Sequence, residues 1–117
     1  MTPFVTMREA LSDRRLLGAA LGGDSWLASR VLLIAAIGEA LTDEERPIFV
    51  KLTGREREPS ERVAELWCVI GRRGGKSRAI AALLVYLATM ADYRAQFASG
   101  ERGVVLCLAR TQEQPQR

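Results

Sequence analysis

The residues with the clearest chemical potential lie in the stretch "VIGRRGGKSR". Gly75, Lys76 and Ser77 match the second half of the phosphate-binding pattern G-x-x-x-x-G-K-[ST]. Its opening position holds Ile70, and the expected glycine comes one place later, at Gly71. In such a loop the backbone N–H groups surround the phosphates, the lysine binds the β- and γ-phosphates, and the hydroxyl helps to hold Mg²⁺. The stretch therefore predicts a nucleotide-phosphate site.

The segments on either side of the loop fit that prediction. The apolar run "LWCVI" at 66–70 predicts a strand covered on both faces, and residues 76–91 predict a helix. One face of this helix is apolar; its members are Ile80, Leu83, Leu84, Leu87 and Ala91. A second apolar run, "GVVLCLA" at 103–109, predicts another strand. This order predicts an α/β fold: a partial P-loop NTPase βαβ unit with parallel strands, preceded by a helical N-terminal region.

Other interpretations of the loop stay open at this point. A glycine-rich turn with solvated arginines would need no ligand. A small basic module could bind nucleic acid through the local cluster of Arg72, Arg73, Lys76 and Arg78, although aromatic stacking residues are not interleaved with it. A small P-loop kinase is a further alternative, but it would need a substrate lid that the sequence does not display.

Residues 1–57 predict helices. Thr6 can cap a short helix through Leu11, and Asp24 or Ser25 can cap a second helix that runs to Ile37. Gly38 then occupies the position that favours a left-handed stop. Further along, the capping-box pair Thr42 and Glu45 predicts a helix that ends at Gly54, and 55–65 forms a charged connector that contains Pro59.

The composition excludes several classes of function. The chain of 117 residues contains no histidine, which removes histidine general-base chemistry and histidine-ligated metals. Cys68 and Cys107 lie in apolar runs and are expected to be buried strand thiols. The start lacks the pattern of a secretory signal, and the longest apolar run, 79–91, is shorter than the ~20 residues that span a bilayer. The expected location is the cytoplasm.

The loop and its surroundings also resemble a known family. "GRRGGKS" after an apolar strand is similar to the deviant Walker A loop of phage and prophage terminase large subunits, the ATPases that package viral DNA. The stretch "GDSWLASRVLLIAAIGEALTDEERPIFVKLTGREREPSERVAELWCVIGRRGGKSRAIA" resembles their N-terminal region, and "YLATMADYRAQFASGERGVVLCLA" resembles the segment that comes next in those proteins. The resemblance extends to about Ala109. It implies a helical region at 1–57, the start of an ATPase core at 58–110 and a polar tail at 111–117.

The resemblance implies roles for individual residues. The residues that it assigns to ATP and Mg²⁺ are Gly71, Arg72, Gly74, Gly75, Lys76 and Ser77. Lys76 would bind the β- and γ-phosphates, Ser77 would be the Mg²⁺ ligand, and Arg72 would act on the γ-phosphate as charge develops. Arg73 and Arg78 are expected to be solvated cations. The resemblance implies double-stranded DNA, a small terminase subunit and a portal ring as partners, and a bacterial host cell as the setting. No membrane partner is expected, because the longest apolar run is too short to span a bilayer.

The sequence departs from the family's pattern in its acidic residues. ATP hydrolysis needs an acid at the end of a later strand, and only Asp92, Glu101 and Glu113 follow the loop, none of them beside the second predicted strand. The acidic nuclease residues and an upstream glutamine for adenine are also missing, since Gln96 is the first glutamine. We therefore expect the N-terminal part of a longer ATPase, or a non-catalytic nucleotide-binding remnant. Trp26, Arg55 and Arg62 are expected to pack or to be solvated rather than to contact a base.

Overall fold

A computed structural model describes residues 2–69 and 76–93. Five α-helices and two very short strands make up these parts of the chain, together with a 3₁₀ turn at Asp24–Trp26. The elements in chain order are β1 (Thr2–Pro3), α1 (Met7–Ser12), α2 (Gly18–Leu21), α3 (Leu27–Ala36), α4 (Arg46–Thr53), α5 (Lys76–Thr89) and β2 (Ala91–Asp92). The fold is mixed α/β and mainly helical.

The predicted helix signals in the N-terminal region are largely confirmed. Thr6 and Glu9 form a capping box at the start of α1, in which the Glu9 N–H donates to Thr6 Oγ1 at 3.0 Å. Thr42 and Glu45 form the same reciprocal pair, with the Thr42 N–H donating to Glu45 Oε1 at 2.9 Å, but this pair closes a turn before the helix. α4 begins only at Arg46, and no side chain caps its start, so the predicted helix start at Thr42 is wrong. Gly54 ends α4 with a left-handed φ of 73°. The signals at Thr6 and Gly54 succeed because each depends on contacts between residues three or four apart.

The predicted start of the second helix is wrong. Neither Asp24 nor Ser25 caps a helix; both lie in the 3₁₀ turn, and no side chain caps the start of α3 at Leu27. The turn is stabilised instead by Arg30, whose Nη1 donates to the carbonyl of Leu21 at 2.7 Å and to that of Gly23 at 2.6 Å. These bonds hold backbone carbonyls that precede the turn; they do not replace the side-chain acceptor that an N-cap would offer to the free N–H groups of α3.

The end of α3 is as predicted, and Gly38 has an additional role there. It adopts a φ of 88°, which a side chain would strain. A Cβ atom at this position would also collide with the backbone of Glu61 and Arg62. Next to this crossing, the Val63 N–H donates to the carbonyl of Ala36 at 2.9 Å. Gly38 thus lets the connector run directly over the end of α3.

The core surrounds α3 and includes one face of α5. From α3 it takes Val31, Leu33, Ile34 and Ala35. From α5 it takes Ala82 and the fully buried Tyr86. The predicted apolar face of α5 is partly wrong: Leu83 and Leu87 are half-buried and pack against the core, whereas Ile80 and Leu84 are half-buried and do not belong to it. Small alanines allow α5 to lie close to its neighbours, so the buried face is centred on residues that a count of large apolar side chains overlooks.

The strands differ from the prediction. β1 pairs with β2 in antiparallel register, Thr2 opposite Asp92 and Pro3 opposite Ala91. As a result α5 ends at Thr89, two residues before the predicted Ala91. Residues 66–69 form neither helix nor strand, which contradicts the predicted strand for this part of 66–70, and no described segment pairs with them. Ile70 and the predicted strand at 103–109 lie outside the described residues, so a parallel βαβ unit stays a prediction.

Candidate phosphate-binding site at the start of α5

The lysine of the G-K-S triplet is the first residue of α5. Ser77 follows it in the first turn with its side chain exposed. The loop residues assigned to the ligand, Gly71, Arg72, Gly74 and Gly75, lie outside the described residues, as does Arg73. A helix N-terminus presents free backbone N–H groups and a partial positive charge, which together favour an anion such as a phosphate. The predicted phosphate-binding lysine and Mg²⁺ ligand thus both lie in the turn where this effect is strongest.

The charge of that turn is opposite to the usual preference. Helices favour Asp or Glu in the first turn, because a carboxylate offsets the positive end of the helix dipole. The first turn of α5 has no acidic residue and instead contains Lys76 and Arg78. Two cations at this position are unfavourable unless an anion or another contact compensates for them.

Arg78 has such a contact. Its guanidinium carbon lies 5.2 Å from the centroid of the Trp26 ring, within the range of a cation–π interaction. Trp26 is half-buried and packs against the core, as predicted. Arg78 was predicted to be a solvated cation, and its side chain is exposed as expected; the contact with Trp26 is an additional feature that was not predicted. No sequence signal connects the two residues, because they lie far apart along the chain.

The segment that leads into the loop packs on one side and is exposed on the other. Leu66 and Cys68 line a small cavity with Leu33 of α3 and Ala79 of α5. Trp67, between them, is 83% exposed, and Val69 is 100% exposed, against 37% for Leu66. This alternation is typical of a chain with one covered face, so the prediction that both faces are covered is wrong for the described part of this segment. Cys68 is a half-buried free thiol, and Cys107 lies outside the described residues.

A larger hollow of about 440 Å³ lies beside the same segment. It is open to solvent and mainly apolar, and its lining includes Phe49 and Leu52 of α4 as well as Trp67. Arg55 is exposed at its edge, and Arg62, also exposed, follows the crossing at Gly38. Both arginines are therefore on the surface, as expected.

The connector before this segment is held by an acidic side chain that no sequence motif marks. Glu58 Oε2 accepts from the Leu41 N–H at 2.6 Å, and Glu58 Oε1 accepts from Arg46 Nε at 3.1 Å. Arg46 and the Leu41 N–H lower the pKa of the Glu58 carboxyl to about 2. A second bridge, between Arg8 and Glu45 at 2.6 Å, joins α1 to the start of α4 and lowers the pKa of Glu45. Charged contacts therefore fix the path of the chain toward the loop.

The described residues contain neither a cluster of metal-ligating side chains nor a membrane span. Within 2–69 and 76–93, no group of three or more His, Cys, Asp or Glu side chains is arranged to hold a metal ion. A Walker-type Mg²⁺ site needs no such group, because the phosphates and one hydroxyl supply most of its ligands. No helix in the described part of the chain is both long and apolar enough to cross a bilayer.

Comparison with models of protein families, with curated proteins and with solved structures found no match to this chain. The assignment of a function therefore depends on the residues themselves.

Proposed function

We propose that this chain is the ATP-binding N-terminal portion of a terminase large subunit, the motor that packages viral DNA. The observation that carries the proposal is the start of α5 at Lys76, which puts the lysine and serine of G-G-K-S in the first turn of a 14-residue helix. A helix directly after the triplet is one half of the context that distinguishes a phosphate loop from a chance match to its short pattern; the other half, a strand that leads into the loop, is not formed by residues 66–69.

The charge of the first turn supports the same conclusion. A helix that began with Lys76 and Arg78 and bound nothing would carry an electrostatic cost of a few tenths of a kcal/mol for each cation, by the usual size of helix-dipole effects. A triphosphate would reverse the sign of that contribution. Lys76 would then bind the β- and γ-phosphates and Ser77 the Mg²⁺, while Gly71, Gly74 and Gly75 would let the backbone approach the phosphates. Arg72 would act on the γ-phosphate.

ATP hydrolysis is not part of the proposed capability of this chain. Asp92, the first acid after the loop, lies in β2, beyond the far end of α5. A helix of 14 residues is about 21 Å long, so Asp92 is too far from Lys76 to hold the same Mg²⁺. We propose that this chain binds Mg²⁺-ATP without releasing phosphate. Packaging of double-stranded DNA with a portal ring and a small terminase subunit would belong to a longer protein.

The test is a thermal-shift and calorimetric titration with Mg²⁺-ATP. Wild type should be stabilised, by about 2.7 kcal/mol at a nucleotide concentration one hundred times Kd. Lys76→Ala should lose this stabilisation. Lys51→Ala is the matched control, because Lys51 is the other lysine of the chain and is exposed at the end of α4. No stabilisation of wild type, or equal stabilisation of wild type and Lys76→Ala, would contradict the proposal and favour a remnant without a ligand.

A further inference from the structure

The two ends of α5 are attached to the rest of the fold by different contacts. At its C-terminal end, Tyr86 donates its hydroxyl to the carbonyl of Val5 at 2.7 Å, and the Phe4 N–H donates to the carbonyl of Met90 at 2.9 Å. β1 and β2 pair beside them. At the other end, Arg78 in the first turn of α5 stacks on Trp26.

The ring on which Arg78 lies is itself well supported. Trp26 ends the 3₁₀ turn directly before α3, and its ring packs against the core. Arg30 holds the chain before this turn through the carbonyls of Leu21 and Gly23. The indole is therefore a fixed surface that belongs to the helical N-terminal region, and Arg78 connects the start of α5 to it.

The contact of Arg78 with Trp26 stabilises a turn whose own charge is unfavourable. Its N–H groups have no partner within the helix, and Lys76 and Arg78 place positive charge at the positive end of the dipole. A cation–π contact lowers that cost, because the face of the ring is negative. We infer that Trp26 is a positioning residue, which fixes the first turn of α5 through Arg78 and so holds in place the turn that would bind phosphate.

This inference rests on the proposed function for its effect on ligand binding, but the attachment itself is measurable without a ligand. The informative change is Trp26→Leu, which keeps an apolar side chain and removes the π face. Trp26→Tyr is the matched control, since tyrosine keeps a π face. In the Arg78→Met background the cation is missing, so Trp26→Leu should there have no further effect.

The first readout is hydrogen exchange of the full chain without nucleotide. The amides of Ile80, Ala81 and Ala82 report on the first turn, because their acceptors in an α-helix are the carbonyls four residues earlier. Trp26→Leu should raise their exchange about two- to fivefold, as the usual strength of an exposed cation–π contact implies, and leave the amide of Leu87 unchanged. Trp26→Tyr should restore the slow exchange. Unchanged exchange at these amides, an equal rise along all of α5, or persistence of the effect in the Arg78→Met background would overturn the inference.

The second readout is the Kd for Mg²⁺-ATP, which should rise about two- to fivefold in Trp26→Leu and recover in Trp26→Tyr. If wild type binds ATP and Trp26→Leu binds it equally well, positioning by Trp26 is refuted while the proposed function stands. If wild type does not bind ATP, the proposed function fails, and the exchange data alone decide whether Trp26 holds the first turn.

Discussion

Replacement of Glu58 by glutamine tests how the connector is held against the helical region. The Glu58 carboxylate accepts from the Leu41 N–H and from Nε and Nη2 of Arg46, at 2.6, 3.1 and 3.3 Å. Its side chain is 9% exposed, and that of Arg46 is 25% exposed. Glu58→Gln keeps the size of the side chain and an acceptor oxygen for Leu41, but it removes the charge that pairs with Arg46.

The magnitude of the effect can be worked out from the pKa. The carboxyl has a pKa of about 2 in the folded chain, mainly because of the hydrogen bond from Arg46. An unfolded glutamate titrates near 4.3, and each unit of difference corresponds to about 1.4 kcal/mol, which sets an upper limit of about 3 kcal/mol. Solvent screens the partly exposed Arg46, so we expect Glu58→Gln to lower the free energy of unfolding by about 1–2 kcal/mol at pH 7.

The pH dependence gives the sharper test. Because the folded pKa is the lower one, the unfolded chain binds more protons below about pH 5, and the contribution of Glu58 is lost as pH falls toward 2. Glu45, whose pKa Arg8 lowers, contributes in the same direction in both proteins. The difference between wild type and Glu58→Gln should therefore stay constant from pH 7 to about pH 5 and shrink from there to pH 3.

The assay is urea unfolding of both proteins, followed by circular dichroism between pH 7 and pH 3. Glu56→Gln is the control, since Glu56 lies in the same connector but is exposed. It should change the free energy of unfolding by no more than about 0.5 kcal/mol, as surface substitutions usually do. A difference between wild type and Glu58→Gln that is absent at pH 7, or that stays constant down to pH 3, would refute the reasoning.

Two further substitutions test other contacts. Gly38→Ala should lower the free energy of unfolding in urea by at least about 2 kcal/mol, because it strains a φ of 88° and forces apart the backbone at Arg62. Gly54 has a φ of 73° with open space around it, so Gly54→Ala should lower the free energy of unfolding by about 1 kcal/mol. A smaller cost at Gly38 than at Gly54 would contradict the close crossing of the connector. Tyr86→Phe should cost about 1–2 kcal/mol by leaving the Val5 carbonyl without its donor. Burial raises the pKa of Tyr86 to about 12, so this cost should be constant from pH 7 to pH 9, and a clear change over that range would contradict a buried, neutral hydroxyl.

The elements that the sequence predicted well are those with local signals. The cap at Thr6, the reciprocal hydrogen bonds of Thr42 and Glu45, and the left-handed glycines Gly38 and Gly54 all depend on residues within one turn of each other. Contacts between residues this close in sequence can be predicted from a short pattern of residue types. The helix from Lys76 was predicted for the same reason, since a glycine pair precedes a long run of good helix formers.

The features that the sequence did not predict depend on contacts between distant residues. β1 and β2 are too short to show an alternating pattern of apolar and polar residues. They pair because the end of α5 lies next to the first residues of the chain. The 3₁₀ turn before α3 depends on Arg30, and the partner of Arg78 is Trp26. Each of these contacts follows from the packing of helices, and no short pattern of residue types encodes that packing.

The distribution of exposed apolar surface connects the fold to the proposed site. Within the described residues, no charged or polar residue is buried, and no buried side-chain N or O atom is without a hydrogen-bond partner. The polar side chains of the described helices are therefore either accessible to solvent or hydrogen-bonded. Its large exposed apolar side chains include Trp67 and Val69, in the segment that leads into the loop. Exposed apolar side chains that lie close together in this way are typical of a surface that another segment or another chain covers. The start of α5 is thus held from one side, through Arg78 and Trp26, while the segment before the loop is covered on one face alone. If the loop binds ATP, its affinity should therefore depend on whatever covers Trp67 and Val69 as well as on the helical body, and this is why a weak but Lys76-dependent affinity is the expected result for this chain.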